Sequence, residues 1–116
     1  MIIVEKENIC PKNIQVYLNR WERMKTDLLA LHAMREDTVG EDLLEGFGLY
    51  IEFLQHCHGL QHLPEEQIEQ LEALPLNGKE RLQFIKNSPK QYASFTQLDE
   101  MFSETVKKLA RLRVQK

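Results

Sequence analysis

The sequence predicts an all-α fold, a compact bundle of three long helices (about 12–35, 41–58 and 90–113) with two short helices (about 65–74 and 78–87) forming a corner between the second and third. Three observations lead there. Apolar residues recur at alternating spacings of three and four in three separate stretches, the repeat that gathers them on one helix face. Two prolines, Pro75 and Pro89, punctuate a shorter helical stretch before the last of these. The chain has 116 residues, 42% of them hydrophobic and 28% charged, enough to bury a core in a single domain, 1–116, without staples.

Taken in order, residues 1–10 are short and mixed, either an extended arm laid against the helices or a flexible one. From Pro11 to about Arg35, Ile14, Tyr17, Trp21, Met24, Leu28 and Leu31 form a 3-4-3-4-3 seam. Glu36 to Gly40 breaks it, with Thr38 or Gly40 as the next cap. In the second helix one stripe holds Leu44, Phe47, Ile51, Leu54 and His58, and a second holds Leu43, Tyr50 and Cys57. So wide an apolar face belongs to a central helix. Gly46 and Gly48 lie within it, where another backbone can approach closely.

Gly59 suits that helix's C-terminus, and Pro64 suits the start of a short helix with Ile68, Leu71 and Leu74 inward. Asn77 is a capping residue with Glu80 three positions on, an approximate capping box. Leu82 and Ile85 face inward, and Phe84 is a third candidate. Ser88 then caps the last helix with Pro89 at its first position, and Phe95, Leu98, Phe102, Thr105, Leu109 and Leu112 make its inner face. No internal repeat or low-complexity stretch divides the chain.

The text around this corner also carries a resemblance. Pro75, Asn77, Glu80, Arg81, Leu82, Phe84 and Ile85, then Pro89, Tyr92, Phe95, Gln97 and Leu98, continued by Phe102 and Glu104, resemble the signature of the YpoC-like family of small bacterial proteins. Gly78 stands where the family motif usually has valine, which loosens the expected start of that helix. The resemblance covers the C-terminal third, and the preceding helix loosely. It implies a helical cytoplasmic domain of uncharacterised function, with no catalytic or ligand residues to carry over.

Candidate chemistry is sparse. His56, Cys57, His58 and His62 supply zinc- or copper-type donors, but Gly59 ends the helix between His58 and His62, which breaks the shared face that ligands four apart require. A helix C-terminus at a half-buried corner accounts for them better, and Cys57 on an apolar stripe reads as a quiet thiol. Glu45-Gly46-Phe47-Gly48 lacks the third glycine and the preceding strand of a dinucleotide loop. Glu52 with His56, and Glu100 with Glu104, read as a solvated face. Arg81 is expected to brace the corner by pairing with Glu104 or Asp99.

Lys107, Lys108, Arg111, Arg113 and Lys116 follow Glu104 without an intervening acid, while the other 10 basic residues share the chain with all 18 acidic ones. Cations complement a helix C-terminus on dipole grounds, and the same cluster could contact nucleic acid or an acidic partner. The net charge of -3 disfavours a general nucleic-acid binder. Cys10 and Cys57 alone make no disulfide framework, no apolar run approaches a membrane span, and Glu5, Lys6 and Glu7 follow the opening apolar residues too soon for a signal peptide. The expectation is therefore a cytoplasmic, non-catalytic interaction or accessory module, with no cofactor and no membrane contact. Its partner is another protein, and monomer and homodimer fit equally. Nucleic-acid binding through the basic C-terminus is the alternative, and a metal or thiol site at His56 to His62 is the second.

Overall fold

Each of the three long apolar stripes becomes a helix in the computed structural model, which describes residues 1–115. The helices are α1 (Pro11–Met34), α2 (Val39–Cys57), α3 (Gly78–Asn87) and α4 (Tyr92–Val114), with 3-10 turns at Lys6–Asn8 and Glu65–Gln70. The fold is all-α, and the molecule measures 47 × 29 × 23 Å. Pro11 opens α1 at the position where a missing N–H costs nothing. Arg35 closes it in the left-handed region (φ 55°), and the Glu36 N–H reaches back to the Leu31 carbonyl at 3.0 Å, without a glycine.

Phe102 of α4 is the meeting point of the long helices. Its ring stacks on Trp21 of α1 (centroids 4.6 Å apart), meets Tyr50 of α2 edge-on at 5.0 Å and lies 6.0 Å from Phe53. Gly46 makes this possible, because a Cβ there would stand 2.7 Å from Trp21 Cζ3. The polar groups beside the Phe102 ring are paired. Tyr50 and Thr105 share a buried hydrogen bond of 2.7 Å, and Trp21 Nε1 donates to Asp99 at 3.0 Å. Thr105 thus fills the polar slot in the inner face of α4, whose other members, Phe95 to Leu112, are all buried.

Residues 1–5 run along the bundle without helix, and residues 6–8 make the first 3-10 turn. Ile2 forms an isolated parallel bridge with Leu71, the Glu5 N–H donates to the Cys57 carbonyl at 2.9 Å, and Val4 and Ile9 are buried. The Lys6 amine donates to the Leu112 and Gln115 carbonyls at the end of α4.

Several expected details differ. Residues 65–74 do not form one short helix: the 3-10 turn stops at Gln70 and Leu71 is extended, because the arm takes the Gln70 carbonyl and the Glu72 N–H into hydrogen bonds with Ile2. Ile68 and Leu71 are buried as expected, while Leu74 is only partly so. Asn77 makes no side-chain cap, and the box with Glu80 is not closed. The turn after Pro75 puts Asn77 in the left-handed region (φ 59°), with the Gly78 N–H on the Pro75 carbonyl at 2.9 Å. Gly78 is not a loose start, since Leu74 fills the space where its Cβ would be. Ser88 does not cap α4. Ser88 to Gln91 form a turn whose Ser88 carbonyl accepts from the Gln91 N–H and the Ser94 hydroxyl, so α4 begins at Tyr92.

On α2 the buried face is centred on Leu43, Gly46, Tyr50, Phe53, Leu54 and Cys57, and Leu44 is 41% exposed. Gly46 admits Trp21 on that side and turns the Leu44–Phe47–Ile51 edge outward. Thr38 stands at the N-cap of α2 without a side-chain bond, and Gly48 has open space around it. Phe84 is 39% exposed, unlike the buried Leu82 and Ile85.

Candidate functional site

The corner residues singled out in the sequence assemble around Arg81. Its guanidinium makes two bonds to the Glu104 carboxylate, at 3.1 and 2.6 Å, donates from Nε to Gln97 Oε1 at 2.8 Å, and reaches the Leu76 carbonyl at 3.3 Å. Glu100 lies at 3.8 Å. Two parallel N–H···O bonds are the strong geometry for this pair. The Arg81 hydrogen bond is the main cause that holds the Glu104 carboxyl below its ordinary range. Of the two expected partners, Arg81 takes Glu104, while Asp99 goes to Trp21 and Lys25. Glu100 and Glu104 are accordingly corner groups rather than a purely solvated face, and Glu52 pairs with Arg20 at 3.3 Å. Each of the three guanidinium nitrogens donates within the protein's own frame.

The four metal-type donors end up apart in role. His58 is buried at the end of α2. Its Nε2 accepts from the Ala73 N–H at 3.2 Å, so Nδ1 carries the proton and donates to the Leu54 carbonyl at 2.7 Å. His56 packs against the Tyr17 ring, with its Nε2 buried and unpartnered, and His62 is exposed. Cys57 is buried, and burial pushes its thiol up to about 12. Among the described residues no group of three or more His, Cys, Asp or Glu is placed to hold a metal ion. Gly59 has φ 65°, the left-handed residue that ends α2 between His58 and His62.

Burial is the leading influence on His58 and lowers its pKa, against the Leu54 hydrogen bond and Glu72, which raise it. The unfolded chain therefore takes up a proton near the ordinary value of 6.5 while the folded one still refuses it. Stability from this group is full above that value and is lost as pH falls below it. Urea midpoints measured from neutral pH downward should drop through this window in the wild type, and the drop should shrink in His58→Gln.

The basic end of α4 splits as well. Lys108 Nζ donates to the Leu74 carbonyl at 2.9 Å and Arg113 to the Ile9 carbonyl at 2.9 Å, so both tie the helix to its neighbours. Lys107 and Arg111 are exposed, and Lys116 lies outside the described residues.

A groove beside the corner is marked by no motif in the chain. Phe47 and Ile51 of α2, Leu63, Ile68 and Leu82 form the floor of a half-open cavity of about 190 Å³, with Lys79, Gln83 and Lys86 of α3 on one lip and Glu65 on the other. Lys79 pairs with Glu69 at 3.1 Å, and Lys86 has no carboxylate within ion-pair distance among the described residues. Lys79, Gln83 and Lys86 are spaced i, i+4, i+7 on one face of α3, which is the only trace of the lip that the sequence carries.

A family model described as YpoC-like protein covers residues 11–116, from the first residue of α1 through the whole bundle, well beyond the C-terminal third. No curated protein and no solved structure matches. No helix among the described residues is long and apolar enough to cross a membrane.

Proposed function

We propose that this chain, which belongs to the YpoC-like family, is a non-catalytic accessory module of the cytoplasm that receives a partner protein in the groove between α2 and α3. The two faces of α3 support it. On the inner face Arg81 and Ile85 are spent on the Glu104 brace and on packing. On the outer face an apolar floor lies open under two lysines. The nucleophilic and titratable groups of the interior point the same way. Cys57, His58 and Tyr50 are buried, the two rings hydrogen-bonded within the fold, and burial raises the Tyr50 hydroxyl further from ionisation.

The occupant that fits is a segment presenting one apolar side chain flanked by carboxylates. The apolar group takes the floor of Phe47, Ile51 and Leu63, and the acids meet Lys86, which has no ion pair among the described residues, and Lys79 in competition with Glu69. A photo-crosslinker placed at Gln83 in the native cells should give one defined adduct. That adduct should be lost in Lys79→Glu, Lys86→Glu protein and absent when the crosslinker sits at Gln15, exposed near the start of α1. Equal adducts from both positions, or an adduct indifferent to the two lysines, would contradict the reading.

A further inference from the structure

A second groove, between α1 and α2, differs from the first in charge. Met24, Leu28, Ala30 and Leu31 line its floor in a volume of about 370 Å³, and Asp27, Asp42 and Glu45 stand at its rim. None of the three carboxylates is in an ion pair among the described residues. Asp42 lies in the first turn of α2, where the helix dipole favours an acid. That explanation does not reach Asp27 or Glu45. Arg23, one turn before Asp27, makes no ion pair either, and the rim stays net negative.

The complementary surface is on the same chain. Lys107, Ala110, Arg111 and Val114 are all exposed on α4 at spacings i, i+3, i+4 and i+7, one ridge that alternates cations with small or apolar groups. Within one molecule the ridge runs away from the groove: Lys107 lies beside Glu22 and Lys25, and Arg111 is a turn farther from Asp27. Arg113 and Lys6 tie the end of α4 to the beginning of α1. Asp27 lies 16 residues beyond Pro11 along α1, roughly 24 Å at the rise of an α-helix.

We infer that two copies of this chain pair side by side in opposite directions, the Lys107–Arg111 ridge of each lying over the Asp27–Glu45 groove of the other. A two-fold arrangement satisfies both contacts at once and closes, whereas head-to-tail stacking satisfies one per interface and leaves ends open. Each floor is narrow, so the pairing is weak and depends on charge.

Sedimentation equilibrium of the full chain tests this. A dimer is expected at about 0.02 M salt, weakened at least about tenfold near 0.5 M, where the screening length shrinks below the reach of surface charges. Lys107→Glu with Arg111→Glu should sediment as a monomer, as should Asp27→Lys with Glu45→Lys. Mixing those two monomers should restore a dimer, since each then offers what the other lacks. Circular dichroism confirms that the variants keep their helices. A wild type that stays monomeric at low salt, masses that climb beyond two copies, a dimer indifferent to the reversals, or a mixture that fails to pair would each overturn the inference.

Discussion

Replacing Phe102 with alanine is expected to lower stability by about 3–5 kcal/mol, a large part of the roughly 5–15 kcal/mol that holds an ordinary domain folded. The loss follows from its position. The ring is buried and touches Trp21, Tyr50 and Phe53, aromatic side chains from both of the other long helices. Truncation would remove the transfer energy of the ring and leave a cavity that three stiff neighbours cannot collapse into. Urea unfolding followed by circular dichroism measures it. Phe84→Ala serves as the internal comparison: with that ring 39% exposed, the expected change is under about 1 kcal/mol. Similar losses at both positions would mean that the long helices do not meet where the structure places them.

The second large effect is a difference in sign between two glycines of α2. Alanine in a helix interior is favoured over glycine by about 1 kcal/mol, so Gly48→Ala, with nothing within 4 Å of the new methyl, should stabilise by up to that amount. Gly46→Ala gains the same propensity but places its Cβ 2.7 Å from Trp21 Cζ3 and 3.3 Å from Leu98 Cδ2. Trp21 is buried and stacked, so it cannot swing away, and overpacking of this kind costs about 1–3 kcal/mol. Gly46→Ala should therefore be net destabilising, and Gly46→Val more so. Thermal melts of the two alanine variants beside wild type should move in opposite directions.

These residues also mark where the sequence was readable. The seams of α1 and α4 could be traced because each has one stripe, and its spacing alone selects the buried face. On α2 two stripes lie side by side, and periodicity does not say which is deeper. The missing side chain at Gly46 decides it by letting Trp21 in, and Leu44 is turned out as a result. The stretch from Glu65 to Leu74 was misread as one helix because its partner, Ile2, sits at the far end of the chain. Asn77 has the chemistry of a cap, yet the turn after Pro75 holds it at positive φ, where the side chain makes no cap bond. That Arg81 needs an acid, Glu104 or Asp99, was legible because it is the lone arginine in a capping and apolar motif, but the choice of Glu104 was not. The groove was not, since Phe47, Leu63, Ile68 and Lys79 belong to separate elements and no spacing connects them.

Beneath the functional reading lies one structural claim: the family motif at the corner is frame, and the working surface is the groove outside it. A double-mutant cycle on Arg81 and Glu104, read by urea unfolding, tests this most directly. Arg81→Met should cost about 1–2 kcal/mol, because it also releases Gln97 and the Leu76 carbonyl, with a coupling to Glu104→Gln of about 1 kcal/mol once the partial exposure of Glu104 is allowed for. Unchanged stability in Arg81→Met, with no coupling to Glu104, would mean that the guanidinium is held in reserve for a ligand and that the corner is itself the site.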